Sequence, residues 1–142
     1  MGKENCLVDG KCRVTSVVYE ATATDVEMTA TYFGCTAGPL KLRIDKHTHS
    51  FNNKLKEHET TLSTHVWDRK RKGFDPKIKY RTVRKAQAYS ASSGHCNLCL
   101  QEKVVIVTNK KDGVLNSKNE ISGRCRHRAK HLLSHWNRQE VT

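Results

Sequence analysis

The sequence lacks any long apolar run and is poor in proline and aromatic residues. Of its 142 residues, 2 are proline and 6% are Phe, Trp or Tyr. No stretch approaches the roughly 20 apolar residues that a membrane-spanning helix needs. The N-terminal region also has no apolar core followed by a cleavage site. We therefore expect an intracellular protein with no membrane partner, whose length and 36% hydrophobic content suit one domain.

Acidic residues are few compared with basic ones. The chain has 14 Asp and Glu against 26 Lys and Arg, a formal net charge of +12. Such an excess attracts polyanions, so nucleic acid is the first partner to consider, with a solvated basic surface as the alternative. The basic residues that we expect to contact phosphates without reading bases are Arg69, Lys70, Arg71, Lys72, Arg81, Arg84, Lys85, Arg124, Arg126, Arg128 and Lys130.

Three segments have the composition of β-strands. The runs 16–23 and 26–33 are rich in β-branched and aromatic residues, and Thr24-Asp25 between them predicts a hairpin. Residues 78–83 predict a third strand. We therefore expect a small antiparallel sheet.

Helical patterns dominate the rest of the chain. Pro39 suits a helix start, and the helix after it has one face formed by Leu40, Ile44, His47 and Phe51. A second helix is predicted over 61–72, where Gly73 would stop it. A third is predicted over 96–109, with a strand as the alternative because of its β-branched residues. A final basic helix is predicted over 119–136.

Strands early in the chain and helices later predict an α+β fold. The whole chain, 1–142, is expected to form one domain. Within it, 1–15 would be a cysteine-containing N-terminal segment and 137–142 a frayed C-terminus.

The cysteines fit a metal site better than disulfides, since no signal peptide is visible. Two short pairs of ligands have the spacing of a tetrahedral structural zinc site, and they are Cys96, Cys99, Cys125 and His127. The alternatives are buried free cysteines, His131 as the fourth ligand, and Cys6 and Cys12 in place of one pair or in a separate site. Cys35 is expected to be only small and buried.

Two tripeptides on the predicted hairpin carry a further signal, namely 17–19 (Val-Val-Tyr) and 32–34 (Tyr-Phe-Gly). They are followed in order by Arg43, His47, Glu102 and Asn116. This order resembles the GIY-YIG nuclease superfamily, and most closely the endonuclease domain attached to reverse transcriptases of Penelope-like retroelements. Both tripeptides depart from the name-giving letters, but each keeps its tyrosine and the second keeps its glycine. The resemblance spans nearly the whole chain and includes 96–103 and 125–128.

The resemblance implies a metal-dependent DNA endonuclease with the GIY-YIG fold. Glu102 would hold a divalent ion, Mg²⁺ or Mn²⁺, because a carboxylate oxygen suits a hard cation. Arg43 would bind the negative charge that grows on the phosphate. Tyr19 would be the general base, which requires nearby positive charge to lower its pKa from about 10.

The resemblance assigns supporting roles to three further residues. Tyr32 would orient water or phosphate through its hydroxyl. His47 would assist the base or contact phosphate, with core packing as the alternative. Asn116 would order the site by hydrogen bonds.

The biological setting also follows from the resemblance. The domain would nick or cleave target DNA in the nucleus for insertion by a linked reverse transcriptase. The rival hypothesis is a zinc-stabilised nucleic-acid-binding domain without catalysis. A protein-interaction domain is a third hypothesis, but so polar a chain shows no apolar patch to support it.

Overall fold

The computed structural model describes residues 13–86, 96–109 and 113–116. Its strands are β1 (Val17–Thr24), β2 (Thr29–Thr36) and β3 (Lys77–Lys85), and its helices are α1 (Leu40–Asn52), α2 (Thr61–Arg71) and α3 (Asn97–Thr108). A short 3₁₀ turn at Lys54–Lys56, which the sequence pattern did not predict, follows α1. The expected α+β class with a three-stranded antiparallel sheet is confirmed. None of the described helices has the length and apolar character needed to cross a bilayer.

The sheet has β1 at its centre, in the order β2-β1-β3, with both pairings antiparallel. Ala21 on β1 pairs with Tyr32 on one side and with Tyr80 on the other. The register opposite β3 shifts between Val18 and Tyr19. Because side chains alternate between the faces of a strand, this register brings Tyr19, Tyr32 and Tyr80 to the same face.

The predicted two-residue hairpin turn at Thr24-Asp25 is wrong. Thr24 pairs with Thr29, so four residues, 25–28, form the connection. The Asp25 carboxylate accepts hydrogen bonds from the backbone N–H groups of Glu27 at 2.8 Å and Met28 at 3.1 Å. These bonds close the loop as aspartate side chains commonly do, and β2 therefore begins later than the composition suggested.

The sheet lies between two helical layers. On one face, α1 and α2 cover a core that contains Val17, Tyr19, Ala21, Ala23, Tyr32, Leu40, Ile44, Phe51, Leu62, Val66 and Tyr80. On the other face, α3 covers a second core that contains Val18, Phe33, Ala86, Leu98, Val105 and Ile106. The helical interpretation of α3 is confirmed, and the strand alternative is wrong.

The helices begin and end at residues with a physical reason to be there. Thr60 and Ser63 form a reciprocal capping box at the start of α2. Gly73 ends that helix with φ +90°, a conformation that glycine adopts without strain. Pro39 immediately precedes α1, where its missing N–H costs nothing.

The outer edges of β2 and β3 differ in whether another described segment pairs with them. The segment 113–116 lies along β2, where Thr31 N–H donates to Gly113 O and Leu115 N–H donates to Thr31 O, both at 2.8 Å. In the described residues no strand pairs with the outer edge of β3. The exposed basic residues on β3 are Lys77, Lys79, Arg81, Arg84 and Lys85.

The basic run 69–72 combines one buried arginine with residues that remain partly or fully exposed. Arg69 is buried, bonds Asp25 at 2.8 Å and lies 4.2 Å from the centre of the Phe74 ring. Its neighbours are also engaged: Arg71 pairs with Glu57, Lys72 pairs with Asp68, and Lys70 donates to the Phe51 carbonyl. Most of this charge therefore joins α2 to its surroundings.

Candidate active site

Two tyrosines and two basic residues meet between the sheet and α1. The four-residue spacing of Arg43 and His47 places both on the side of α1 that faces β1. The Tyr19 hydroxyl lies 2.6 Å from His47 Nε2, and Arg43 Nε donates to the Tyr19 oxygen at 3.2 Å. Tyr19 is fully buried and His47 is 2% exposed, so this pair lies inside the protein.

Tyr32 completes the group from β2. Its ring contacts that of His47 edge-on, with the centroids 5.8 Å apart. Its hydroxyl also bonds Arg43: burial alone would lower the pKa of Arg43, but the Tyr19 and Tyr32 hydroxyls hold it above its usual value. Arg43 is the partly exposed member of this group, whereas Tyr19, Tyr32 and His47 are buried.

Glu102 lies on α3, which packs on the opposite face of the sheet, and it acts on this cluster through Cys35 and through its charge. Burial, together with the charge and hydrogen bond of Glu102, raises the pKa of the Cys35 thiol. The charge of Glu102 also acts on the Tyr19 phenol. Cys35 is partly exposed rather than simply buried, and it contacts the proposed metal ligand; the sequence had indicated no such role.

Gly34 explains how the Tyr19 hydroxyl reaches this position. It pairs with Tyr19 across the β1–β2 ladder. A Cβ at Gly34 would lie 2.4 Å from the Tyr19 hydroxyl oxygen and 2.5 Å from its Cζ. Only a residue without a side chain leaves room for the phenol to extend over β2, so the glycine of the second tripeptide is needed for packing.

Two further aromatic residues enclose His47. Phe51 stacks on the imidazole with an interplanar angle of 16°, and Tyr80 stacks on it with an angle of 24°. Tyr80 also contacts the Tyr19 ring edge-on at 6.4 Å. Tyr80 was not among the residues that the sequence singled out. Its period-two spacing with Ile78 and Thr82, which puts these three residues on the same face of β3, was the available signal.

The protonation states of the central pair follow from burial. Desolvation raises the pKa of Tyr19 to about 12 although Arg43 acts to lower it. Desolvation and the charge of Arg43 lower the pKa of His47 to about 3. Near neutral pH Tyr19 therefore keeps its proton and His47 is neutral. Since Arg43 donates to the phenol oxygen, the Tyr19 O–H is left to donate to His47 Nε2.

Asn116 holds the edge of the site. Its Oδ1 accepts from Phe33 N–H at 2.8 Å, and its Nδ2 donates to Phe33 O at 2.7 Å. This amide thus pairs with the backbone of β2 as a neighbouring strand would. Phe33 lies between Tyr32 and Gly34, so Asn116 fixes the strand that carries both.

The predicted zinc ligands fall partly within the described residues. Cys96 immediately precedes α3 and Cys99 lies in its first turn, both partly exposed. Cys125 and His127 lie outside the described ranges, as do the alternatives Cys6, Cys12 and His131 and the predicted helix 119–136. Within residues 13–86, 96–109 and 113–116, no three His, Cys, Asp or Glu side chains form a group suited to a metal ion.

No protein-family model, curated protein or solved structure matches the chain. Its function must therefore be inferred from the residues and their geometry.

Proposed function

We propose that this chain is a divalent-metal-dependent DNA endonuclease of the GIY-YIG type that hydrolyses phosphodiester bonds. The observation that supports the proposal most is the meeting of Tyr19, Tyr32, Arg43 and His47, which come from three different elements. The charge of Glu102, on a fourth element, also acts on Tyr19. A guanidinium, a carboxylate that can hold a cation, and a hydrogen-bonded phenol can supply the charge neutralisation and proton transfer that phosphodiester hydrolysis needs.

Arg43 is the phosphate-binding group in this proposal. Its guanidinium carries a permanent charge and can donate two hydrogen bonds to phosphate oxygens. Its Nε is held by Tyr19, which fixes the direction of the planar group. The N–H groups that are not bonded to Tyr19 or Tyr32 would therefore be presented to phosphate in an orientation that β1 and β2 set together.

Tyr19 and His47 form the proton-transfer pair. The Tyr19 oxygen would take a proton from the attacking water while its own proton passes to the neutral Nε2 of His47, 2.6 Å away. Both pKa shifts keep the proton on Tyr19 in the free protein. Deprotonation is thus expected only once substrate and cation are bound.

Glu102 fits the cation that such a reaction needs. A carboxylate oxygen is a preferred ligand of Mg²⁺, which commonly binds through one or two carboxylates, several waters and substrate phosphates. Bound there, Mg²⁺ or Mn²⁺ would neutralise charge on the phosphate and lower the pKa of the neighbouring phenol. A single acidic ligand implies that the cation binds weakly until DNA is present.

A structural zinc ion is part of the proposal. Cys96 and Cys99 flank the start of the helix that carries Glu102. Bound zinc, completed by Cys125 and His127, would fix that helix start and hence the carboxylate. Metal analysis of the purified protein is expected to find about one zinc per chain. Cys96→Ser should lower that content, and zinc-free protein with every thiol reactive would contradict this part.

Plasmid cleavage tests the central proposal. Supercoiled DNA is incubated with the protein and Mg²⁺ or Mn²⁺, with EDTA as one control. Glu102→Ala is expected to abolish cleavage but to leave DNA binding intact. Glu59→Ala removes an exposed carboxylate on the loop before α2 and is expected to cleave as the wild type does. Nicking by the Glu102→Ala variant would disprove the mechanism.

By the resemblance, the proposed setting is the nucleus, where a linked reverse transcriptase would use the cut target DNA. The rival proposal is a zinc-stabilised nucleic-acid-binding domain without turnover. The observation that favours it is the complete burial of Tyr19, whose pKa of about 12 opposes a role as base. Retained, salt-sensitive DNA binding without cleavage under any of these metal conditions would favour the rival.

A further inference from the structure

Among the described residues, Tyr80 is the aromatic neighbour of the Tyr19–His47 pair whose polar group has no role in the reaction proposed above. It lies on β3, opposite Ala21, and is 7% exposed. Its ring contacts His47 at 6.2 Å and Tyr19 at 6.4 Å between centroids, in the range of favourable aromatic packing. It therefore limits the movement of both rings.

The hydroxyl of Tyr80 is unusual for a buried polar group. Within the described part of the chain it has no hydrogen-bond partner. Leaving such a group unsatisfied costs about 1–3 kcal/mol, and nearly all buried hydroxyls are hydrogen-bonded to protein or to water. Phenylalanine would fill the same space without that cost.

The surroundings of this hydroxyl belong to the candidate active site. Burial raises the pKa of Tyr80; the Tyr19 hydroxyl adds to this shift, and the positive charge of Arg43 opposes it. The Tyr80 oxygen is thus within electrostatic reach of the groups proposed to handle the proton and the phosphate. A buried water that joined the Tyr80 hydroxyl to a second polar group of this site would supply the hydrogen bond that the hydroxyl lacks in the described part of the chain.

We propose that Tyr80 is a positioning residue of the nuclease: its ring holds the His47 imidazole against the Tyr19 hydroxyl, and its own hydroxyl binds an internal water beside that pair. The inference rests on the proposed function. It extends the site to β3, a strand to which the sequence pattern assigned no part in the reaction.

The variant Tyr80→Phe removes the hydroxyl and keeps the ring, so it tests the contribution of the hydroxyl alone. If the hydroxyl has no role in the reaction, its removal relieves the cost of an unsatisfied buried group. The variant then becomes more stable, and the dependence of its cleavage rate on pH is unchanged. If it orders the pair, the cleavage rate falls about tenfold, the value of one well-placed hydrogen bond, and the pH profile of cleavage shifts. The matched control is Val66→Ala. It removes side-chain volume from the same core at a residue that has no aromatic ring to stack on His47.

A second measurement does not depend on turnover. In protein labelled with ¹⁵N-histidine, the Nε2 resonance of His47, assigned with His47→Gln, reports its hydrogen bond with Tyr19. Tyr80→Phe is expected to shift this resonance and Val66→Ala to leave it in place. A cleaving wild type with an unmoved resonance in Tyr80→Phe would overturn this inference alone. A wild type that never cleaves would overturn both proposals.

Discussion

The contact between Gly34 and Tyr19 allows a prediction in which two physical effects have opposite signs. In the middle of a strand, alanine is favoured over glycine by about 0.5–1 kcal/mol, so propensity predicts that Gly34→Ala stabilises the fold. The structure predicts the reverse. The new Cβ would lie 2.4 Å from the Tyr19 hydroxyl oxygen, whereas carbon atoms in contact prefer about 3.5–4.0 Å.

The magnitude follows from where Tyr19 lies. The phenol must move by about 1 Å to restore an ordinary contact, but it is fully buried and bonded to His47 at 2.6 Å. Overpacking typically costs about 1–3 kcal/mol, and weakening a buried hydrogen bond adds about 1 kcal/mol. After the propensity gain is subtracted, we expect Gly34→Ala to lower the free energy of unfolding by about 1–3.5 kcal/mol.

Urea titration followed by circular dichroism measures this change. Gly38→Ala is the matched control, because a Cβ there meets nothing within 4 Å, and its effect should stay within about 0.5 kcal/mol. In a Tyr19→Ala background the cost of Gly34→Ala should largely disappear, since the clashing ring is gone. A stabilised Gly34→Ala variant, or an equal loss in both backgrounds, would refute the packing of Tyr19 over Gly34.

Three further outcomes are expected. The folded pKa of His47, about 3, lies below its unfolded value of 6.5, so as the pH is lowered the unfolded chain takes up a proton that the folded protein does not. We therefore expect the free energy of unfolding to decrease by about 2 kcal/mol between pH 7.5 and pH 5. His47→Gln should reduce this pH dependence in urea titrations. Asn116→Ala should cost about 1–3 kcal/mol in the same titration, and Asn116→Asp should also destabilise because a carboxylate cannot donate to the Phe33 carbonyl. Arg69→Met should lower the midpoint of thermal unfolding, because it leaves the buried Asp25 carboxylate without its partner. Adding Asp25→Asn to this variant should recover part of the loss. Equal midpoints for Arg69→Met and the wild type would contradict this prediction.

Periodicity predicted most of the fold because most elements bury one regular face. The spacing of Leu40, Ile44 and His47 identified α1 and the side that it turns to the sheet. The hairpin turn was misplaced because Asp25 has one local and one non-local role. Asp25 both closes the four-residue loop and pairs with Arg69, which is far away in sequence on α2, and no local pattern contains that contact.

For the candidate site, the sequence predicted which residues would take part and their order along the chain, but not most of the contacts between them. That Arg43 and His47 share a side follows from helix geometry, and the structure brings Tyr19 to both. The participation of Tyr80 depends on strand register, since it reaches His47 only because β3 pairs with β1 at Ala21. The contact of Cys35 with Glu102 depends on how α3 packs against the far face of the sheet. Neither is encoded in a local spacing.

The basic outer edge of β3 has a consequence for how copies of this chain behave together. A strand edge with unpaired backbone groups invites addition of another strand, and closely spaced lysine and arginine side chains oppose this by repulsion between identical edges. No described strand covers this edge of β3. Two of its five exposed basic residues, Lys77 and Arg81, pair with Asp75 and Glu20. The excess of positive charge that is left should discourage intermolecular sheet growth at low ionic strength. Concentrated salt, which screens those charges, should make the protein more prone to aggregate.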